Sequence, residues 1–338
     1  MIPDLVPRSV HDTVDAQLAG AERREPFVPP QSRSLVRFER VEIGGQRCVV
    51  KHLHADADFL LRAGGDPGTR TLRAYGAGLF HAAADVVDCA VIGVALGAGP
   101  DGSGAAILMR DVSAELMPPG DDPFPEAAHA RFVDSLAGLC ARTWDFADDL
   151  GLLPYAARWG FFDHATIARE EALGWPEPVP RLARDGWRRF AARAPEDVAR
   201  AVDALRRDVR PLADALRTTP SCFLHGDWKA SNLGVGADGR TVLIDWVYLG
   251  EGPACHDIAW YVALNRRRLP RGRRKEAVFE EFRAALERHG VATAGWFERQ
   301  LQLCLLGALV QFGWEKALGD EEELAWWCDH ARAGLRRL

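Results

Sequence analysis

With 338 residues, 48% hydrophobic and 27% charged, the chain has room for two packed lobes of the usual ~100–200 residues each. The 42 Lys and Arg against 48 Asp and Glu leave a net charge of −6, which argues against a nucleic-acid-binding protein and would suit a cationic substrate. Seven cysteines stand singly (Cys48, Cys89, Cys140, Cys222, Cys255, Cys304 and Cys328), odd in number and without a C-x-x-C pair, which argues against a disulfide framework and fits a reducing cytosol.

The first residues carry no basic stretch followed by an apolar run, so no secretory signal is expected and the expected location is cytoplasmic. Residues 10–30 read as a helix running into the Pro-rich stretch that starts at Pro26. In residues 34–53, Val36, Phe38 and Val41 alternate with charges, Gly44-Gly45 marks a turn, and Cys48-Val49-Val50 is apolar. That pattern predicts a β-hairpin. Asp66-Pro67 offers an N-cap and a first-turn proline for a helix reaching about residue 84. Residues 85–96 and 105–109 read as two strands joined by a Gly-rich turn.

Beyond Asp111 the pattern is mostly helical. Residues 126–146 and 195–218 have helical periodicity, the second opened by Pro195 with Glu196 and Asp197 in its first turn. Residues 150–190, rich in Trp, Pro and Arg, give no clear pattern. Residues 221–250 return to short apolar runs between turns, and the chain is helical from about 273 onward. The most apolar run, 301–310, falls short of the ~20 residues that span a bilayer and reads as a buried helix. Trp326-Trp327 read as core residues. The basic runs at 266–268 and 271–275 read as a solvated loop and a helix start, and neither nucleic acid nor membrane is an expected partner. The expected division is 1–111 and 112–338, with a hinge near 109–113.

The strongest chemical signal lies at 221–246. His225-Gly226-Asp227 follows a short apolar run, Asn232 comes five residues after Asp227, and Asp245 ends a second apolar run 18 residues after it. Phosphoryl transfer calls for these residue types, because an anionic group in flight is handled by positioning and by neutralisation with Mg²⁺. Magnesium takes hard oxygen ligands, usually one or two carboxylates with phosphate oxygens and water. Asp245 and the amide oxygen of Asn232 suit that task. Asp227 can orient an incoming hydroxyl and accept its proton. A hairpin between Asn232 and Asp245 would bring the two together.

The pattern H-G-D-x-x-x-x-N followed by I-D-W resembles the aminoglycoside phosphotransferase and choline kinase-like family. The run from Gly250 through Pro253 and Asp257 to Ala259 is similar to that family's G-x-P…D-[IL]-A segment. The spacing of Asp227, Lys229 and Asn232 is similar to the catalytic loop of protein kinases. The resemblance implies an α+β protein-kinase-like fold of two lobes, a small N-terminal mixed β-sheet lobe and a larger, mostly helical C-terminal lobe. It implies Mg²⁺, ATP or GTP as donor, and a small hydroxylated acceptor such as an aminoglycoside-like or nucleoside-like antibiotic or an amino sugar. By the same resemblance Asp227 is the catalytic carboxylate, Asn232 and Asp245 are metal ligands, and Lys51 holds the α- and β-phosphates. The backbone of Arg110 and Val112 would hold the base, and a short loop ending at Ser34 would cover the phosphates. Lys229 would touch the γ-phosphate or pair with an acid, and His225 would brace the loop.

Two departures stand out. The family's lysine pairs with a glutamate on the following helix, but residues 59–84 contain no Glu, and Thr71 stands where one is expected. Either Lys51 then turns to Asp56, Asp58 or Asp66, or its ordering differs. No G-x-G-x-x-G precedes Lys51; the run at 97–102 matches it but leads into a strand and reads as a hairpin turn. Absence of G-x-x-x-x-G-K-[ST] excludes a P-loop enzyme, His52 and His54 lack a third metal ligand, and no A-P-E follows Asp245, which argues against a protein kinase. The acceptor would dock on 113–220 and on helices after Asp257, with Trp228, Asp257, Trp260 and Tyr261 as candidates. The alternatives are a catalytically weak, kinase-like nucleotide-binding regulatory module, and nucleotidyl transfer on the same fold.

Overall fold

The computed structural model describes residues 5–29, 35–99, 101–174 and 177–338. Its first part is a five-stranded antiparallel sheet with a few short helices, and its second part is mostly helical. In chain order the first part holds α1 (Val14–Gln17), β1 (Ala21–Phe27), β2 (Arg37–Ile43), β3 (Gln46–Leu53), α2 (Phe59–Ala63), α3 (Arg70–Gly76), β4 (Val87–Cys89), β5 (Val91–Leu96) and β6 (Ala105–Arg110). The sheet order is β1-β2-β3-β6-β5.

The predicted hairpin is β2–β3, turning at Gly44-Gly45 with Ile43 opposite Gln46. The sheet buries Val49, Leu53 and Ile107 against Phe59, Leu61 and Leu72 on one face. On the other face Val41, Val50, Ala106 and Leu108 pack with Leu18.

Three predicted elements of this first part are corrected. The helix expected over 10–30 is the single turn α1; Gly20 (φ 85°) redirects the chain and 21–27 becomes an edge strand. Its charges reach solvent or partners across the ladder, as in Arg24–Glu39 at 2.9 Å, and Pro26 is tolerated because an edge strand has a face without ladder bonds. The helix expected from 66 to 84 is shortened to α3. Gly78 (φ 82°) sits against the N-terminal segment, where an added Cβ would lie 2.5 Å from the Val6 carbonyl oxygen. The strand expected over 85–96 breaks at Ala90. There the chain leaves the five-stranded sheet and β4 pairs, in parallel, with a strand of the second part.

The second part holds α4 (Glu126–Arg142), α5 (His164–Leu173), α6 (Pro178–Arg193), α7 (Glu196–Arg207), α8 (Arg210–Arg217), β7 (Ser221–Leu224), β8 (Leu233–Val235), β9 (Thr241–Leu243), β10 (Gly250–Pro253), α9 (His256–Leu264), α10 (Lys275–Arg288), α11 (Phe297–Lys316) and α12 (Glu321–Leu335). The helix expected over 195–218 is interrupted at Asp208, whose extended backbone ends α7, and Pro211 opens α8. α11 contains the apolar run 301–310 and is the buried axis of this part. Gly307 lets the Trp159 ring lie where a Cβ would be 2.4 Å away. Trp327 is buried, whereas Trp326 is half-buried and donates its indole N–H to Glu276 at 2.6 Å. Among the described residues no helix is long and apolar enough to cross a membrane.

Candidate active site

The site grows from two short strand ends. β7 delivers His225-Gly226-Asp227, and the β8–β9 hairpin, with Leu233 opposite Leu243, returns the chain to Asp245. The amide of Ile244 donates to the carbonyl of Asn232 (3.1 Å), so Asn232 and Asp245 end on the same side of the ladder. The expected hairpin between them is present. Asp245 has a left-handed backbone (φ 66°), a conformation uncommon for a non-glycine residue and one that aspartate tolerates better than most.

The Asp227 carboxylate is held by three side chains. Trp260 Nε1 donates to Asp227 Oδ1 (3.1 Å), Asn232 Nδ2 to Oδ2 (2.9 Å), and Lys229 Nζ lies 2.7 Å from Oδ2. Asn232 also donates to the Asp227 carbonyl, so its amide nitrogen is spent on the loop and its amide oxygen is left for other partners, Ser231 among them. Gly226 (φ 83°) passes so close to Tyr248 that a Cβ would lie 2.2 Å from the Tyr248 carbonyl oxygen, which explains the glycine of the H-G-D pattern. Its N–H donates to Asp257 Oδ2 (3.0 Å), whose other oxygen pairs with His256 (2.7 Å).

His225 is a brace. Its Nε2 faces the Ile244 carbonyl (2.9 Å) and must donate, while its Nδ1 faces the Asp227 N–H (3.2 Å) and must accept. These partners select one neutral tautomer. Burial, stronger than the pull of Asp257 and other nearby carboxylates, holds its pKa below the usual 6.5; burial does the same for His256 and His52. The unfolded chain therefore binds more protons than the folded one below pH 6.5. Stability should be fully present above 6.5 and fall as pH drops from there through the depressed folded values, by at most about 1.4 kcal/mol per histidine per pH unit. Urea midpoints measured on either side of pH 6.5 check this, and a flat profile would contradict it.

Lys51, on β3, reaches across to Asp245: its Nζ is 2.6 Å from Oδ1. Of the four acids in play, Asp245 is the one bonded to it; Asp56 pairs with His54 and Asp66 caps the turn before α3 through the amides of Gly68 and Thr69. Burial alone would raise the Asp245 carboxyl, but Lys51 and Lys229 hold it below its ordinary value. Thr71, where a glutamate was expected, donates its hydroxyl to the Trp246 carbonyl (3.0 Å). The structure thus gathers Lys51, Asp227, Lys229, Asn232 and Asp245. Arg110 ends β6 with its side chain turned to Asp88 (2.7 Å), and the buried Val112 follows it at the predicted hinge. Ser34 lies outside the described residues.

The oxygen donors fit magnesium. Asp245 supplies a carboxylate and Asn232 an amide oxygen. Among the described residues no group of three or more His, Cys, Asp or Glu side chains could hold a metal by itself. That sparse protein shell is the one Mg²⁺ uses when phosphate oxygens and water complete its coordination.

Of the candidates for the acceptor, all four are buried and Trp260 bonds to Asp227. Arg158 was not foreseen: it is buried and binds the carbonyls of Tyr248 (2.9 Å) and Glu251 (3.3 Å), fixing the chain after Asp245. Burial pushes its guanidinium down to about 10, against the pull of Asp257. A groove of about 680 Å³ lies between α5, α6 and α7, lined by Trp187, Phe190 and Arg206, and none of the site residues above lines it.

A model of the phosphotransferase enzyme family matches residues 52–301, which include Arg110, Val112, His225, Asp227, Lys229, Asn232 and Asp245 but neither Ser34 nor Lys51. The chain belongs to that family. As a family member it is a phosphotransferase enzyme, and its fold is that of the family's solved structures. Choline kinase LicA from Streptococcus pneumoniae is similar at a TM-score of 0.53 and 13% identity, over 96% of each chain. LicA in complex with AMP is similar at 0.51 and 13%, over 96% of this chain and 94% of that one. No curated protein matches the sequence.

Proposed function

We propose that this phosphotransferase moves the γ-phosphoryl group of ATP or GTP onto a hydroxyl of a small molecule, with Mg²⁺, in the cytoplasm. The acceptor class we favour is an aminoglycoside-like or nucleoside-like antibiotic or an amino sugar, which would make it a resistance enzyme. The observation that carries the reading is the Asp227 carboxylate. It offers about four acceptor positions; Trp260, Asn232 and Lys229 take three. The fourth is where an acceptor hydroxyl would bond and leave its proton. An adenine nucleotide as donor is supported by the AMP held by a protein of the same fold. Seven free, buried thiols suit a reducing compartment.

In this reading residues 1–111 hold the nucleotide and 112–338 hold the acceptor, turning about 109–113. Lys51 binds the α- and β-phosphates, and Asp245 with Asn232 holds Mg²⁺, which neutralises charge developing on the phosphoryl oxygens. Lys229 stands beside Asp227 as the group nearest the γ-phosphate. The backbone of Arg110 and Val112 receives the base.

Product mass spectrometry with Mg²⁺, ATP or GTP, and a panel of aminoglycosides, amino sugars, nucleoside antibiotics and choline-like alcohols tests the reading. A gain of one phosphoryl group names donor and acceptor together. Nucleotide binding without transfer to any of them would favour the regulatory module, a reading supported by the missing helix glutamate, and a nucleotidyl adduct would change the reaction class. Asp245→Ala should abolish metal-dependent nucleotide binding. Calorimetry showing an unchanged Mg²⁺ requirement would remove Asp245 from the metal site.

A further inference from the structure

We infer that Thr71, standing where a helix glutamate was expected, is a positioning residue whose hydroxyl holds Asp245 in the backbone conformation that turns its carboxylate to Lys51; this rests on the phosphotransferase reading above. A left-handed backbone persists at a non-glycine residue only where its surroundings over-determine it. At Asp245 (φ 66°) the hold comes from both sides. Before it, the Ile244 amide is bonded to the Asn232 carbonyl (3.1 Å). After it, the Val247 amide donates back to the Asp245 carbonyl (2.9 Å), and the Trp246 carbonyl receives the Thr71 hydroxyl (3.0 Å). The Trp246 carbonyl and the Val247 amide are the two ends of one planar peptide unit. Thr71 holds one end of that unit and Asp245 is bonded to the other, so the hydroxyl acts on Asp245 through a single rigid plane.

The bond is not the one a helical threonine makes by default. Such a hydroxyl ordinarily turns back to the carbonyl three or four residues earlier. Thr71, fully buried in the first turn of α3, instead reaches a partner 175 residues along the chain. Among the described residues no backbone amide donates to the Trp246 carbonyl, and a buried carbonyl left without a donor is unfavourable. The Trp246 ring is fixed independently. Phe80, just beyond α3, stacks on it with centroids 4.9 Å apart, His225 meets it edge-on at 4.9 Å, and its indole N–H donates to the Leu243 carbonyl (3.3 Å). With the ring held, the peptide unit after Trp246 is what can still turn, and the Thr71 hydroxyl stops it. Asp245 then presents Oδ1 to Lys51 Nζ at 2.6 Å.

Thr71→Val keeps the shape and removes the hydroxyl, and Thr71→Ser keeps the hydroxyl and removes the methyl. ADP binding to the whole chain is measured by calorimetry without Mg²⁺ and across a series of Mg²⁺ concentrations. For Thr71→Val the expected result is a Mg²⁺ requirement raised about 5–30-fold, the bias of an L-residue against the left-handed conformation, with metal-free ADP binding close to the parent's. Thr71→Ser should restore the parent's Mg²⁺ requirement, which a packing role for the methyl would not allow. If the Val variant does not fold, Thr71→Ala takes its place, since it also lacks the hydroxyl but leaves room for a water at the Trp246 carbonyl. A parent that needs Mg²⁺, beside a Val or Ala variant with the same requirement, or a Ser variant shifted as far as Val, would make Thr71 a packing residue and overturn the inference while the functional reading stands. A parent whose ADP binding ignores Mg²⁺, or that binds no ADP, removes Asp245 from the metal site; that reading fails and takes this inference with it.

Discussion

Asp227→Asn should lower turnover by about 10²–10⁴-fold, the usual worth of a positioned general base, while nucleotide binding stays near the parent's. The argument is local. Asp227 meets donors on both oxygens, from Trp260 on one and from Asn232 and Lys229 on the other. An asparagine keeps the shape but presents its NH₂ to one of these donors, and it cannot accept a proton from an alcohol. The nucleotide contacts proposed above, at Lys51 and Asp245, lie elsewhere in the chain, so affinity for ADP should survive. Steady-state turnover and ADP calorimetry on the same preparation separate the two effects. Turnover near the parent's would remove Asp227 as the base; loss of nucleotide binding alongside turnover would show that the loop, and not the base, had been damaged.

The second large effect is on stability. Arg62, on α2, bonds Glu170 of α5 (2.8 and 2.9 Å) and Glu177 just before α6 (2.9 Å), and its third arm reaches the Ala55 carbonyl (2.7 Å). The guanidinium is 8% exposed and the two carboxylates are 0% and 1% exposed. One oxygen of each glutamate has no hydrogen-bond partner among the described residues, and only the more exposed Arg169 faces that of Glu170, at 3.8 Å, so the hydrogen bonds to these carboxylates come chiefly from Arg62. Arg62→Met should therefore cost about 3–5 kcal/mol, the price of leaving buried charges uncompensated. Denaturant midpoints measure it, and a loss below about 1 kcal/mol would show that solvent reaches the glutamates readily. Adding Glu170→Leu to Arg62→Met should recover part of the loss, because one buried carboxylate then remains in place of two. The contact joins the small sheet part to α5 and to the start of α6.

The two-lobe fold was legible in outline, and Asp227, Asn232 and Asp245 stood out because phosphoryl transfer calls for those residue types; the structure brings the three together, and the hairpin between the last two followed from the apolar runs around a turn. The β2–β3 hairpin and α11 were legible for the same reason: one has a glycine turn between alternating residues, the other a long apolar run. β1 was not, since Glu22 to Glu25 are charged on both sides and only pairing with β2 makes a strand of them. α5 and α6 were hidden in an Arg-rich stretch whose buried face becomes visible once α11 lies beneath it. The partner of Lys51 is 194 residues away, and that of Trp260 is 33, distances at which no local pattern speaks.

The strand β4 belongs by position to the first part of the chain, yet its ladder is with β9, and Ala90 both accepts the Arg110 N–H (2.9 Å) and donates to the Leu243 carbonyl (3.5 Å). Cutting the chain at residue 111 would strip β9 of one neighbour and leave β4 with bare backbone donors and acceptors, an edge prone to pairing with other chains. The backbone that carries Asp245 is stitched into the first part of the chain, so disturbance there is felt at Asp245 through main-chain bonds.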